Sequence, residues 1–183
     1  RKSPKASTSS FLATGTIEHN AIVVNIVSEL SIRMKGRPCQ VYANDLKVRI
    51  RSADTGKSPD LIALCGEHQF HDGRRDVLLN PRLIVEVLSD STEACDRGKK
   101  IAIYRQIPSF REYLLVSQHQ VQVDLFSRAN DGRWTLSDYS ALTDCVPLCP
   151  ASAAPCRWRR STLRWILSLP EAAPRAARLP PED

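Results

Sequence analysis

The 183-residue sequence has no apolar run approaching the roughly 18 to 20 residues that span a bilayer. That excludes a transmembrane helix. It holds only seven glycines, with no three-residue period, which excludes a collagen-like chain. No G-x-S-x-G and no phosphate-binding G-x-x-x-x-G-K-[ST] occur, so neither a serine hydrolase elbow nor a P-loop NTPase is indicated. There is no internal repeat and no C-x-x-C pair. The six cysteines, at 39, 65, 95, 145, 149 and 156, are too few for a disulfide scaffold and predict free thiols in a reducing, cytoplasmic setting. The opening RKSPKASTSSF is charged but lacks the apolar stretch of a signal peptide. What is there, 42% apolar and 25% charged residues, is the composition of a globular domain long enough to bury a core without metal or disulfide staples.

The net charge is +6, a bias that often marks a nucleic-acid partner. Its distribution argues otherwise for the domain itself. Arg1, Lys2 and Lys5 carry an excess of three, and the six arginines after position 150 exceed Glu171, Glu182 and Asp183 by another three. Residues 6–149 keep 17 basic and 17 acidic residues and are neutral.

Residues 1–14, rich in Ser, Thr and Lys, read as a flexible arm. Between 18 and 34, Ile22, Ile26, Leu30, Val23, Val27 and Met34 recur at helical spacing, and Gly36 and Pro38 end that helix. CQVYA (39–43) and DLKVRI (45–50) read as strands, with Asn44-Asp45 as a tight hairpin turn between them. DLIALC (60–65) is a third strand and GEHQFHDGRR (66–75) a polar loop. LIVEVL (83–88) is a strand buried on both faces. A helix over 92–106 follows, capped by Asp90 with Glu93 and ended by Pro108. Strands at 112–116, 121–126 and 133–136 complete the domain, the last two joined through Asn130-Asp131-Gly132. This order predicts an α/β or α+β fold over 15–148, a mixed central sheet flanked by helices. Residues 149–183 form a Pro-, Ala- and Arg-rich tail.

One residue is out of place. Glu86 lies inside LIVEVL, where an unpaired carboxylate would cost several kcal/mol, so it must be paired, protonated or metal-bound. Asp60, after Pro59, starts another strand. Two carboxylates on one sheet can converge on a hard divalent cation such as Mg²⁺, and a neighbouring lysine can then position a water for attack on phosphorus.

Pro59-Asp60 followed by Glu86-x-Leu88 resembles the PD-(D/E)xK nuclease superfamily, with Leu88 in the usual lysine slot. The stretch 80–118 is similar to the Uma-two family of endonucleases within it, whose E-V-x-S…S-T…D-R-G-x-K-x-x-x-Y pattern is matched by Glu86, Ser89, Ser91, Thr92, Asp96, Arg97, Gly98, Lys100 and Tyr104. Glu18-His19 and VYANDLKVRI add to the likeness, which covers roughly 15–148. The resemblance implies a restriction-endonuclease-like core and a Mg²⁺- or Mn²⁺-dependent endodeoxyribonuclease that cuts DNA, with homodimers common because two strands need two sites. It implies Asp60, Glu86 and the Val87 carbonyl as metal ligands, and Lys100, moved to the following helix, as the group that orients water. Glu18 would be an auxiliary ligand through water, and Tyr104 would hold Lys100 or contact phosphate. Lys100 and Tyr104, four apart, share a helix face, whereas Lys99 points about 100° away.

Other readings compete. An inactive DNA-binding or assembly module could keep the same fold. His19 reads as structural, and Ser89, Ser91 and Thr92 as caps and turns. Cys65-x-x-His68-x-x-His71 has zinc-like ligands at no standard spacing. Lys47, Arg49, Arg51, Arg97 and Lys99 are the candidates for a local DNA-binding patch. In the tail, LPEAAP (169–174) resembles the family's ending while 149–168 does not, a pattern that predicts two compensating frameshifts in the gene.

Overall fold

The computed structural model describes residues 15–89 and 93–148. The arm 1–14, the tail 149–183 and the expected cap at Asp90 lie outside them. Helix α1, Ile17–Met34, starts at Thr16, whose side chain accepts the His19 backbone N–H, and buries Ile22, Val23, Ile26, Leu30 and Met34 along the expected stripe. In chain order the strands are β1 (Cys39–Ala43), β2 (Lys47–Ile50), β3 (Thr55–Lys57), β4 (Leu61–Cys65), β5 (Phe70–His71), β6 (Arg74–Leu78), β7 (Leu83–Leu88), β8 (Glu112–Ser117), β9 (Val123–Arg128) and β10 (Trp134–Tyr139). Between β7 and β8 runs a second helix, α2, in three stretches: α-helical Glu93–Cys95, π-helical Asp96–Lys100 and α-helical Ile101–Tyr104.

Two sheets result. The larger has the order β1-β4-β7-β8-β9-β10, the smaller β3-β2-β6-β5. In the larger sheet only β7 and β8 pair parallel. That pairing needs a crossover, which α2 supplies. All six residues of β7 and of β8 are buried, as central strands covered on both faces must be. One face packs Leu61, Ala63, Leu83, Val85, Leu114 and Val116 against α1. The other packs Ile62, Leu64, Ile84, Tyr113 and Leu115 with Ile101, Tyr104, Ile107 and Phe110, and with Val48, Ile50 and Leu78 of the smaller sheet. The molecule is therefore a mixed α+β fold, as expected.

Three expectations are corrected. Asn44 and Asp45 do turn with positive φ (55° and 60°), but they join no hairpin. Strand β1 pairs with β4, while β2 leaves for the smaller sheet to pair with β3 and β6. Val48 and Ile50, with Leu46 packed against them, serve the second core. The stretch read as a polar loop holds β5 and the start of β6, turned at Asp72 and Gly73 (φ 50° and 71°); the Asp-Gly signal outweighs the polar composition. Finally, Cys39 and Cys65 are not free thiols. They face each other in the β1/β4 register with Cα atoms 4.0 Å apart and form a disulfide; Cys95 and Cys145 are the free thiols among the described residues.

Candidate active site at the β4–β7 edge

The register of the sheet explains how Asp60 and Glu86 meet. Leu61 pairs with Val85 in the antiparallel β4/β7 ladder, so the next rung sets Asp60 opposite Glu86. Asp60 stands one residue outside β4, and its carboxylate replaces a ladder partner: Oδ2 accepts the Val87 N–H at 2.8 Å. The same oxygen lies 3.3 Å from His19 Nε2, which reaches over from the first turn of α1.

Glu86 is 4% exposed, and α2 answers its charge. Lys100 Nζ lies 3.0 Å from Glu86 Oε1, and the Tyr104 hydroxyl donates to that oxygen at 3.3 Å. One turn back, Asp96, 1% exposed, sits with Oδ1 2.5 Å from Lys100 Nζ. Residues 96, 100 and 104 share a face by their spacing of four. The π-helical turn is held from the sheet, where the Tyr113 hydroxyl donates to the Asp96 carbonyl at 3.3 Å.

Three carboxylates, Asp60, Glu86 and Asp96, thus surround one ammonium and one imidazole. Burial pushes the Glu86 carboxyl up to about 7; Lys100 opposes this, while the charges of Asp60 and Asp96 add to it. Burial alone would lower the Lys100 ammonium, but the Glu86 charge and hydrogen bonds to Asp96 and Glu86 outweigh it and hold Lys100 above its ordinary value. His19 is raised chiefly by its hydrogen bond to Asp60, against its own burial. Burial also raises the Tyr104 phenol, helped by the Glu86 charge, so it stays a neutral donor.

The donor set suits a small hard cation. Among the described residues no three His, Cys, Asp or Glu side chains form a ready cage. Mg²⁺, however, keeps several waters and commonly takes only one or two carboxylates. Asp60 and Glu86, facing each other across the ladder with mutually repelling charges, fit that mode.

Of the expected residues, Asp60, Glu86, Lys100 and Tyr104 come together. Val87 joins through its N–H to Asp60. Glu18 is exposed, and its neighbour His19 occupies the inward position instead. Asp96 and His19 are the participants that sequence reasoning assigns no role here. The four-residue spacing to Lys100 is the available signal for Asp96. Cys65, His68 and His71 do not converge: Cys65 is bonded to Cys39, His68 Nε2 is 2.6 Å from the Tyr42 hydroxyl, and His71 Nε2 is 3.2 Å from Asp72. Of the basic candidates, Arg97 is tied to Glu93 and Asp124 and Arg49 to Asp54, leaving Lys47, Arg51 and Lys99 exposed.

The fold is that of a nuclease-like α+β protein. It superposes with a TM-score of 0.65 on the crystal structure of a "putative nuclease" of the DUF820 group from Anabaena variabilis, at 15% identity over 86% of this chain and 83% of that one. The family model described as "Putative restriction endonuclease" matches residues 11–154, and the chain belongs to that family, Uma2. Two uncharacterized proteins of Synechocystis sp. are 34% and 29% identical to it over 127 residues, 69% of this chain. The match spans 66% of the length of the first and 72% of the second.

Proposed function

We propose that this chain is a divalent-metal-dependent endonuclease that hydrolyses phosphodiester bonds in DNA. Family membership supports the reaction class. The observation that carries the proposal is the convergence of Asp60, Glu86 and Lys100 at one end of the neighbouring strands β4 and β7, with Lys100 bridging Glu86 and Asp96. Asp60 and Glu86 would hold Mg²⁺ or Mn²⁺, with the Val87 carbonyl as a third oxygen. The metal would supply Lewis acidity and a more acidic water.

The side chains define the remaining roles. His19 orients Asp60, as outer partners orient metal-binding carboxylates. Tyr104 fixes one oxygen of Glu86. Lys100 stays protonated between two carboxylates, and its ammonium would orient the attacking water and stabilise charge developing on the phosphate oxygens. Asp96 holds Lys100 in that position. The exposed Glu18 is a candidate only for contact through water.

The test is cleavage of plasmid and single-stranded DNA with Mg²⁺ or Mn²⁺ by wild type, Glu86→Ala and Lys100→Met. The expected loss is at least about 10²-fold for each variant, the scale of a removed electrostatic stabiliser. Equal cleavage by wild type and Glu86→Ala would place the activity elsewhere. The competing reading is an inactive DNA-binding module that keeps the fold. It draws on Lys100 being already held by two carboxylates, and DNA binding without cleavage by any form would favour it.

A further inference from the structure

The opposite end of β7 carries charge of the other sign. Arg82 precedes β7, Arg111 precedes β8 and Arg128 ends β9. The Arg111 N–H donates to the Arg82 carbonyl (2.9 Å) and the Arg128 N–H to the Arg111 carbonyl (2.8 Å), which puts the three on one rung across neighbouring strands. Trp134 of β10 pairs with Arg128 on the same rung, and Arg105 lies 5.2 Å over its ring. Between this rung and that of Glu86 stands the layer of Ile84, Tyr113 and Phe126. Arg82 and Glu86 are four residue steps apart along the strand, roughly 13 Å, so the two places are distinct.

A pocket of about 240 Å³ opens here, lined by Pro108, Arg111, Arg128, Ala129, Asn130 and Gly132, with no acidic side chain in its wall. The Arg111 guanidinium is pinned, Nη1 donating to the carbonyls of Pro108 (2.8 Å) and Phe110 (3.1 Å). Arg128 and Arg82 have no carboxylate partner among the described residues, and Arg82 Nε is buried without an acceptor. Burial lowers Arg111 from its ordinary value, and the charges of Arg128 and Arg82 lower it further. Guanidinium groups held together without counter-charge are matched by one chemistry above others: a phosphate oxyanion, whose oxygens accept paired N–H donors.

We propose that the pocket between Arg111 and Arg128 is a phosphate-binding site, separate from the candidate active site. Its occupant is a phosphate group, either free or part of a polynucleotide backbone. The partly exposed Trp134 beside it offers a ring on which a base can stack. This inference stands whether or not the carboxylate site cuts DNA.

The test uses the full chain in a metal chelator at fixed salt, with inorganic phosphate, pyrophosphate and a 12-nucleotide single strand as probes. Arg128→Gln is the principal variant, because the Arg128 side chain makes no hydrogen bond among the described residues whose loss would disturb folding. Arg111→Gln is the second, and melting temperature is recorded for both. The expected result is affinity at least tenfold weaker in Arg128→Gln at unchanged melting temperature. Loss of oligonucleotide binding that inorganic phosphate cannot compete with assigns the site to a polynucleotide backbone. Loss confined to phosphate and pyrophosphate assigns it to a free oxyanion. Wild-type protein that binds none of the probes, or Arg128→Gln that binds as wild type does, overturns the proposal.

Discussion

The two ends of β7 handle charge in opposite ways. At the Glu86 end each carboxylate has a basic side chain beside it: Glu86 and Asp96 share Lys100, and Asp60 meets His19. At the Arg82 end three guanidiniums stand together, and neither Arg82 nor Arg128 has an acidic partner among the described residues. The difference follows from burial. Glu86 and Asp96 are almost wholly buried, and a buried charge without a partner is not tolerated. The arginines are only partly buried, so water carries most of the cost and repulsion between them can persist. Pairing at one end is a condition of folding. Its lack at the other is tolerated, and it leaves capacity for a ligand.

The sharpest way to break this contrast is Lys100→Met. It strands Glu86 and Asp96 beside one another in the core. Removing one partner of a buried pair costs about 3–5 kcal/mol, and urea unfolding at pH 8 is expected to show a loss of that size. The loss should shrink at pH 5, where Glu86 can take up a proton. Adding Glu86→Gln to Lys100→Met should recover a substantial part of it. A stability change under about 1 kcal/mol would mean that Lys100 does not answer those charges.

A smaller effect separates Glu86 from ordinary carboxylates. Its carboxyl lies near 7 in the fold, against 4.5 for an ordinary glutamate. The folded protein therefore binds the proton more tightly than the unfolded chain between those values. Stability is greatest below about pH 4.5 and falls as pH rises toward 7, the reverse of a salt-bridged surface acid. At about 1.36 kcal/mol per pH unit the span is ~3 kcal/mol. The difference between wild type and Glu86→Gln, measured without metal across pH 4.5 to 8, isolates it. Glu86→Gln is expected to be the more stable protein at pH 8, and a flat difference would contradict the raised value.

These residues also show what was legible in the sequence and what was not. Glu86 is readable because a charge in LIVEVL violates its surroundings, and Lys100 with Tyr104 because helical spacing puts them on one face. The disulfide is not, since Cys39 and Cys65 meet only through the β1/β4 register, and register is a tertiary outcome. The second sheet stays hidden for the same reason: β2 and β6 pair parallel across the 23 residues that lie between them, beyond any local pattern. His19 reads as structural because nothing local tells that α1 points its first turn at Asp60. The arginine rung is the clearest case. Arg82, Arg111 and Arg128 are scattered along the chain, and the segment count makes their domain neutral.

Metal addition gives the next effect in size. If Asp60 and Glu86 hold Mg²⁺, saturating ion relieves their mutual repulsion and stabilises the folded form. The gain is about 2.7 kcal/mol when free ion is a hundred times its Kd. Thermal unfolding with and without Mg²⁺ at pH 8 should show a rise for wild type and none for Asp60→Asn or Glu86→Gln. An equal rise in all three proteins would place the ion elsewhere.

The smallest effect is at the other end of the strand, and its smallness is the point. Arg128→Gln removes a partly exposed guanidinium that has no acidic partner among the described residues and lies beside Arg111, which Arg82 flanks on the other side. Surface changes away from caps, cores and buried pairs usually stay within about 0.5 kcal/mol. Here the sign should favour the variant, because it relieves repulsion, and the gain should fade as salt rises and screens that repulsion. A loss above about 1 kcal/mol that is insensitive to salt would show that Arg128 is bound into the fold as Lys100 is, and the contrast between the two ends would be gone.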